Sequence, residues 1–219
     1  MTPQTLFKSI SGYCKSLEKE FDLIPPERKE KLLTLSRYFS GKLNKHEIPK
    51  VIVICTHNSR RSHLGQIWLA VGADYYQLPE IQTFSGGTEG TAFNPRAVDA
   101  LVRAGFEITS DDANHSNPVY NIRWQENRKP YLAVSKKYED NPNPKEKFAA
   151  IMVCSEADEA CPFVAGTDFR LSLPFEDPKA FDGTELESQK YDERCRQIGR
   201  EMLFVLSQVK NHLSEKKVH

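Results

Sequence analysis

The chain has 219 residues, 39% of them hydrophobic, and its 30 lysines and arginines balance 30 aspartates and glutamates. That length buries a good core, most simply as one α/β domain with additions, and a net charge of zero excludes the basic field of a nucleic-acid or membrane-surface binder. No apolar run reaches a transmembrane length, and Lys8, Lys15, Glu18, Lys19 and Glu20 break any secretory leader, so a cytoplasmic protein with its five cysteines mostly reduced is expected.

Residues 1–48 read as a helical extension. Leu6, Ile10, Cys14, Leu17 and Phe21 recur at steps of three and four, the period of one helix face. Ile24-Pro25-Pro26 interrupts, and Leu32, Leu33, Leu35, Tyr38 and Phe39 resume the stripe over 28–43. No chemistry is visible here, so a packing or dimerisation appendage is expected, with Cys14 part of the core.

From residue 49 onward strands and helices alternate, the pattern of a parallel sheet with helices on both faces. A strand over 51–54 runs into Cys55-Thr56-His57-Asn58-Ser59-Arg60-Arg61-Ser62, and a helix follows over 62–73. Strand, tight loop and helix N-terminus form an oxyanion cradle, because backbone N–H groups and the positive end of the helix dipole face the loop's centre. The same field favours the thiolate of Cys55. Arg61 can lay a planar fork on two oxygens of a tetrahedral anion, and Ser62 can donate a hydrogen bond to the sulfur. Residues 56–62 are therefore the expected oxyanion-binding loop and Cys55 the expected nucleophile. The plain alternative is a buried strand-end cysteine before a charged turn.

A second strand spans 81–85. Asn94 and Pro95 cap a helix over 96–104 that stops at Gly105. Residues 109–147 break the rhythm as an inserted lobe rich in Asn, Asp, Pro and Lys, with a short hairpin expected from 119–124 and 131–134 around Asn127-Arg128. Trp124, Arg128 and Tyr131 either border the site or pack the hairpin, and packing is favoured for the aromatics.

The third strand, 149–153, ends at Cys154 as the first ends at Cys55. Neighbouring strands of an open parallel sheet would bring both sulfurs to one crevice, making Cys154 a candidate resolving thiol. Cys161 lies seven positions on. If the residues between are helical, a Cys154–Cys161 bond needs that helix to loop out. Two unrelated cysteines are the alternative, and the spacing does not suit a zinc site. A fourth strand near 169–173 precedes Phe175-Glu176-Asp177-Pro178, where Asp177, on a proline-stiffened loop, can serve as acid and then base. Glu176 is the less suited carboxylate. A final helix over 185–213 carries Tyr191, Ile198, Met202, Val205 and Val209 as its stripe, with Cys195 in the core.

The pattern Cys55-x5-Arg61-Ser62, with Asn58 inside it, resembles the loop of the low-molecular-weight protein tyrosine phosphatases and of the arsenate reductases that share their fold. Ser85-Gly86-Gly87-Thr88-Glu89, Ala92-Phe93-Asn94-Pro95 and Asp177-Pro178 resemble further stretches of that family. Cys154 and Cys161, with acidic residues between them and Pro162 after, closely resemble the redox segment of thioredoxin-coupled arsenate reductases. The chain departs where His57 replaces a usual glycine, where Arg60 replaces a frequent second cysteine, and where Lys179-Ala180-Phe181 replaces the aromatics that flank a phosphotyrosine ring.

The resemblance implies a three-layer α/β/α fold with a central four-stranded parallel sheet over 49–219, carrying the 109–147 insertion and preceded by the 1–48 extension. It implies that arsenate is held by Arg61 and the loop amides, attacked by Cys55 and protonated by Asp177. Cys154 then attacks Cys55 to release arsenite, and Cys161 passes the disulfide outward to thioredoxin, with no bound cofactor or metal. A phosphatase acting on phosphotyrosine or a small phosphate ester is the rival and needs only Cys55, Arg61 and Asp177. An inactive oxyanion-binding or redox-sensing module is a third reading, kept open by His57.

Overall fold

A computed structural model describes residues 5–111, 115–161 and 163–215; Pro162 therefore lies outside the described residues. In chain order the elements are α1 (Lys8–Glu18), a 3₁₀ turn (Phe21–Leu23), α2 (Pro26–Asn44), β1 (Lys50–Cys55), α3 (Arg61–Tyr75), β2 (Gln82–Gly87) and α4 (Pro95–Ala104). There follow β3 (Glu107–Ser110), β4 (Tyr120–Arg123), β5 (Tyr131–Ala133), β6 (Phe148–Met152), α5 (Ser155–Ala160), β7 (Thr167–Ser172), a second 3₁₀ turn (Pro178–Phe181) and α6 (Glu187–Glu215).

The central sheet is parallel, in the order β2-β1-β6-β7, with helices flanking it. β1 and β6 are its inner strands, and their side chains are buried on both faces from Val51 to Cys55 and from Phe148 to Met152. Unbroken apolar runs of this kind are what a covered parallel sheet requires. The register sets Ile54 opposite Met152, and the Val153 amide donates to the Ile54 carbonyl at 2.8 Å. Residues just beyond 54 and 152 thus share one edge of the sheet. α3 approaches β1 closely: a Cβ on Gly65 would lie 2.9 Å from Val53 Cγ1.

α6 packs against α1, α2, α3 and α4 and joins the N-terminal helices to the sheet. Tyr13 of α1 stacks on Trp68 of α3 at 5.4 Å, and Arg28 Nε of α2 donates to the buried Glu201 carboxylate of α6 at 2.7 Å. Leu6 does not begin the helical stripe. It forms an antiparallel bridge with Gln125, and the Phe7 amide donates to the Trp124 carbonyl at 2.9 Å, so the chain's first described residues extend the inserted lobe.

That lobe is a three-stranded antiparallel sheet, β3-β4-β5, rather than the expected two-stranded hairpin. β3 is only four residues long, too short for its alternation to register as a strand signal. Asn127 takes the left-handed turn at φ 58°. Trp124 and Tyr131 pack together at 5.3 Å, and both Trp124 Nε1 and Arg128 bind Asp74. Asp74 is thirteen positions from Arg61 along α3, about 20 Å away at helical rise, so Trp124 sits far from the Cys55 loop, whereas the Tyr131 hydroxyl accepts from Gln66 Nε2 at 2.7 Å in the second turn of α3. No helix among the described residues is long and apolar enough to cross a membrane.

Candidate active site

β1 delivers Cys55 to the carboxyl edge of the sheet with 4% of its surface exposed. Its Sγ lies 3.1 Å from Ser62 Oγ, in the first turn of α3. Asn58 Nδ2 donates to the same hydroxyl at 2.8 Å, which leaves the Ser62 O–H free to point at the sulfur. Ser62 is thereby oriented to stabilise a thiolate.

Asn58 also supplies the loop's single left-handed residue, at φ 45°, a conformation that asparagine tolerates better than most side chains. His57 lies outside that region, so its side chain meets no positive-φ requirement. Its carbonyl accepts from Thr91 Oγ1 at 3.0 Å and Ser135 Oγ at 3.2 Å, and its ring is half-exposed beside Glu89. Among the described residues, the backbone amides of 56–60 donate to no protein carbonyl. Gly87 closes the underside of the loop. A Cβ there would stand 2.6 Å from both the Asn58 nitrogen and the Thr56 oxygen.

The inserted lobe reaches this loop from the side opposite its hairpin tip. The segment after β5 runs along the end of β2, with Gly87 N–H donating to the Lys136 carbonyl and Tyr138 N–H to the Gly87 carbonyl at 3.0 and 2.9 Å. The Lys136 amide holds Asn58 Oδ1 at 2.9 Å. Sequence reasoning missed Ser135 and Lys136 because their partners lie nearly eighty residues upstream and no local pattern marks them.

Arg61 is buried, and its guanidinium is committed: Nη1 donates to the Phe175 carbonyl and Nη2 to Asp177 Oδ2, each at 2.7 Å. The other Asp177 oxygen accepts from the Lys179 amide at 3.0 Å and caps the 3₁₀ turn. The expected anion fork and the expected acid therefore meet each other at the mouth of the loop. Glu176 points to solvent and pairs with Arg194.

Arg60, expected among the oxyanion-binding residues, sends its side chain elsewhere. Nε donates to the Tyr191 hydroxyl at 2.7 Å and Nη2 to Asp182 at 3.4 Å, so the guanidinium ties the loop to α6 and to the Asp177 segment. Tyr191 and Asp182 were not anticipated as its partners, because the contact spans more than a hundred residues. Arg28 supplies another distant prop, with its guanidinium 4.5 Å from the Phe175 ring.

All five cysteines are free thiols. Cys154 Sγ lies 3.4 Å from Thr56 Oγ1, which places the thiol beside the start of the Cys55 loop. Burial pushes this thiol up, against an opposing hydrogen bond from Thr56. Cys161 follows the other end of α5 and is partly exposed. Cys14 and Cys195 belong to the core, and burial pushes both up to about 12. The cleft above the loop, about 490 Å³, is lined by Thr56, His57, Arg61, Glu156, Asp177, Lys179 and Ala180. These lining residues include no phenylalanine, tyrosine or tryptophan to flank an aryl group.

No family model matches the chain. Arsenate reductase 1 of Staphylococcus saprophyticus is 26% identical over 139 residues, which cover 63% of this chain and 84% of that protein. Among solved structures, a YwlE mutant from Bacillus subtilis superposes with a TM-score of 0.50 at 15% identity, covering 74% of this chain and 99% of that one. A low-molecular-weight phosphotyrosine phosphatase from Vibrio cholerae covers 78% of this chain and 97% of its own at a TM-score of 0.44 and 15% identity. The chain shares the fold of that YwlE structure, a parallel sheet flanked by helices. In sequence the chain is similar to arsenate reductases, and it is an enzyme.

Proposed function

We propose that the protein reduces arsenate to arsenite through a thiol relay that thioredoxin recharges. The observation that carries this reading is the pairing of two thiols at one edge of the sheet, Cys55 ending β1 and Cys154 beside Thr56, with a third, Cys161, at the far end of α5. The similarity to arsenate reductases supports it. The working division is a catalytic unit over 49–219 with a helical extension over 1–48, acting in the cytoplasm.

Arsenate enters the loop and takes the Arg61 fork from Asp177, whose carboxyl is then free to hand a proton to the departing oxygen. Cys55 attacks arsenic, forming an S–As bond as that oxygen leaves as water. Cys154 next attacks the Cys55 sulfur. The S–As bond breaks with its electron pair retained on arsenic, which leaves as arsenite, while two thiols become the Cys55–Cys154 disulfide. Cys161 then displaces Cys55 from Cys154, and a dithiol protein such as thioredoxin reduces the resulting Cys154–Cys161 bond.

A phosphomonoesterase is the second reading, favoured by the joined Arg61–Asp177 pair, which serves a cysteinyl-phosphate route equally well. Wild type and Cys154→Ser, assayed on arsenate with thioredoxin, thioredoxin reductase and NADPH, separate the two. The reductase reading expects arsenate turnover in the wild type and its loss in Cys154→Ser. Arsenate turnover equal in both proteins, or hydrolysis of an aryl phosphate with no arsenate turnover, would overturn it.

A further inference from the structure

The six residues of α5 stand between the two outer thiols of the proposed relay. Cys154 precedes the helix and Cys161 follows it, seven positions on, so their α-carbons are about 10 Å apart along a helical path. A disulfide needs them within about 7 Å, so α5 must unwind before the bond can form. A helix this short is not stable by itself. Ala157 anchors one side of it in the core.

Its C-terminal end is held by two residues of β7. Arg170 Nη2 donates to the Asp158 carbonyl at 3.0 Å, to Asp158 Oδ1 at 2.5 Å and to the Cys161 carbonyl at 2.9 Å. Ser172 Oγ donates to Asp158 Oδ2 at 2.5 Å. Arg170 and Ser172 alternate on one face of the strand, which aims both at the same carboxylate. Helix C-terminal carbonyls lack intrahelical donors, and here Arg170 supplies them. Glu156 and Glu159 of the same segment are exposed, so Asp158 alone of the three carboxylates is buried in this arrangement to any extent.

We propose that Arg170, Asp158 and Ser172 form a clasp that keeps α5 folded, holds Cys161 away from Cys154, and sets how readily the second exchange proceeds. The inference rests on the reductase reading for the exchange that it controls. In that step the Cys161 thiolate attacks Cys154 Sγ, the Cys154–Cys55 bond breaks, Cys55 leaves as a thiolate, and no electrons enter or leave the protein. Arg170 is a positioning residue in this scheme. With the clasp closed, Cys154 stays reduced and available for Cys55.

The pair can be isolated in a Cys55→Ser background and equilibrated with oxidised and reduced glutathione. Two protein thiols are oxidised to one S–S bond as one oxidised glutathione becomes two glutathione molecules. Alkylation and peptide mass spectrometry then count the Cys154–Cys161 bond. Arg170→Gln is expected to raise the equilibrium constant for that bond at least tenfold. Ser172→Ala, the milder variant, should raise it about threefold, and Arg170→Lys should fall between wild type and Arg170→Gln. With Cys55 present, its alkylation rate should be unchanged by Arg170→Gln. Equal equilibrium constants in wild type and all three clasp variants would overturn the proposal, as would a Cys55 alkylation rate that shifts in step with the pair. No disulfide in any variant would overturn the clasp and the relay together. The glutathione arm needs no arsenate, so absent arsenate turnover with a shifted equilibrium would fault the substrate and leave the clasp standing.

Discussion

At the scale of single residues, the Arg61–Asp177 pair is the most consequential contact in the site. On the proposed reading an oxyanion must displace a carboxylate that already holds the guanidinium at 2.7 Å, so Asp177 would compete with substrate for Arg61 before acting as an acid. Asp177→Asn should therefore bind phosphate or arsenate more tightly as an inhibitor while turnover falls by about 10²-fold or more, the usual worth of a general acid. Inhibition constants beside kcat decide this, and weaker anion binding would contradict it. That Cys55, Arg61, Ser62 and Asp177 would gather at one end of the sheet was legible in the sequence, because each stands in a short local pattern at a strand end. The roles of Arg60 and His57 were not. Arg60 is explained only by Tyr191 and Asp182, more than a hundred residues away, and His57 only by the left-handed turn falling on Asn58 instead.

Among elements, the N-terminal helices do more than cover α6. Arg28 of α2 neutralises Glu201, a carboxylate 1% exposed that burial pushes up, and the same guanidinium lies on the ring of Phe175, whose carbonyl receives Arg61. Arg28→Ala would strand a buried carboxylate. The expected loss is about 3–5 kcal/mol in urea unfolding, less to the extent that Glu201 takes up a proton. Replacing Arg28 together with Glu201→Gln should recover part of it. A loss below about 1 kcal/mol for Arg28→Ala would show that the pair carries little. The sequence announced both helices through their apolar period, but not their attachment to the Phe175 segment, which is a tertiary contact. β3 and the lobe's grip on Asn58 escaped for the same reason: a four-residue strand and a main-chain contact leave no periodic trace.

For the molecule as a whole, acid stability has a distinct source in His63. This ring is fully buried behind the loop, stacked on Phe93 at 4.0 Å, with Nδ1 3.4 Å from Ser85 Oγ. Burial, with a smaller push from Lys136 and against a hydrogen bond to the Asn58 backbone, lowers it from the ordinary 6.5 to about 3. Between those values the unfolded chain binds a proton that the folded chain refuses. Its contribution is complete above pH 6.5 and lost as the pH falls toward about 3, at a rate approaching about 1.4 kcal/mol per unit. His63→Gln should flatten the difference in unfolding free energy between pH 7 and pH 4.5. An unchanged difference would place the acid sensitivity elsewhere.

The central claim is that arsenic receives its two electrons from this chain's own thiols and that the oxidation ends on α5. A single turnover tests it most directly: fully reduced protein mixed with excess arsenate and no external reductant, then quenched by acid and alkylated. The expected result is one arsenite per chain, with Cys55 alkylated and Cys154 joined to Cys161. No arsenite, or a full yield of arsenite from Cys154→Ser, would contradict the account.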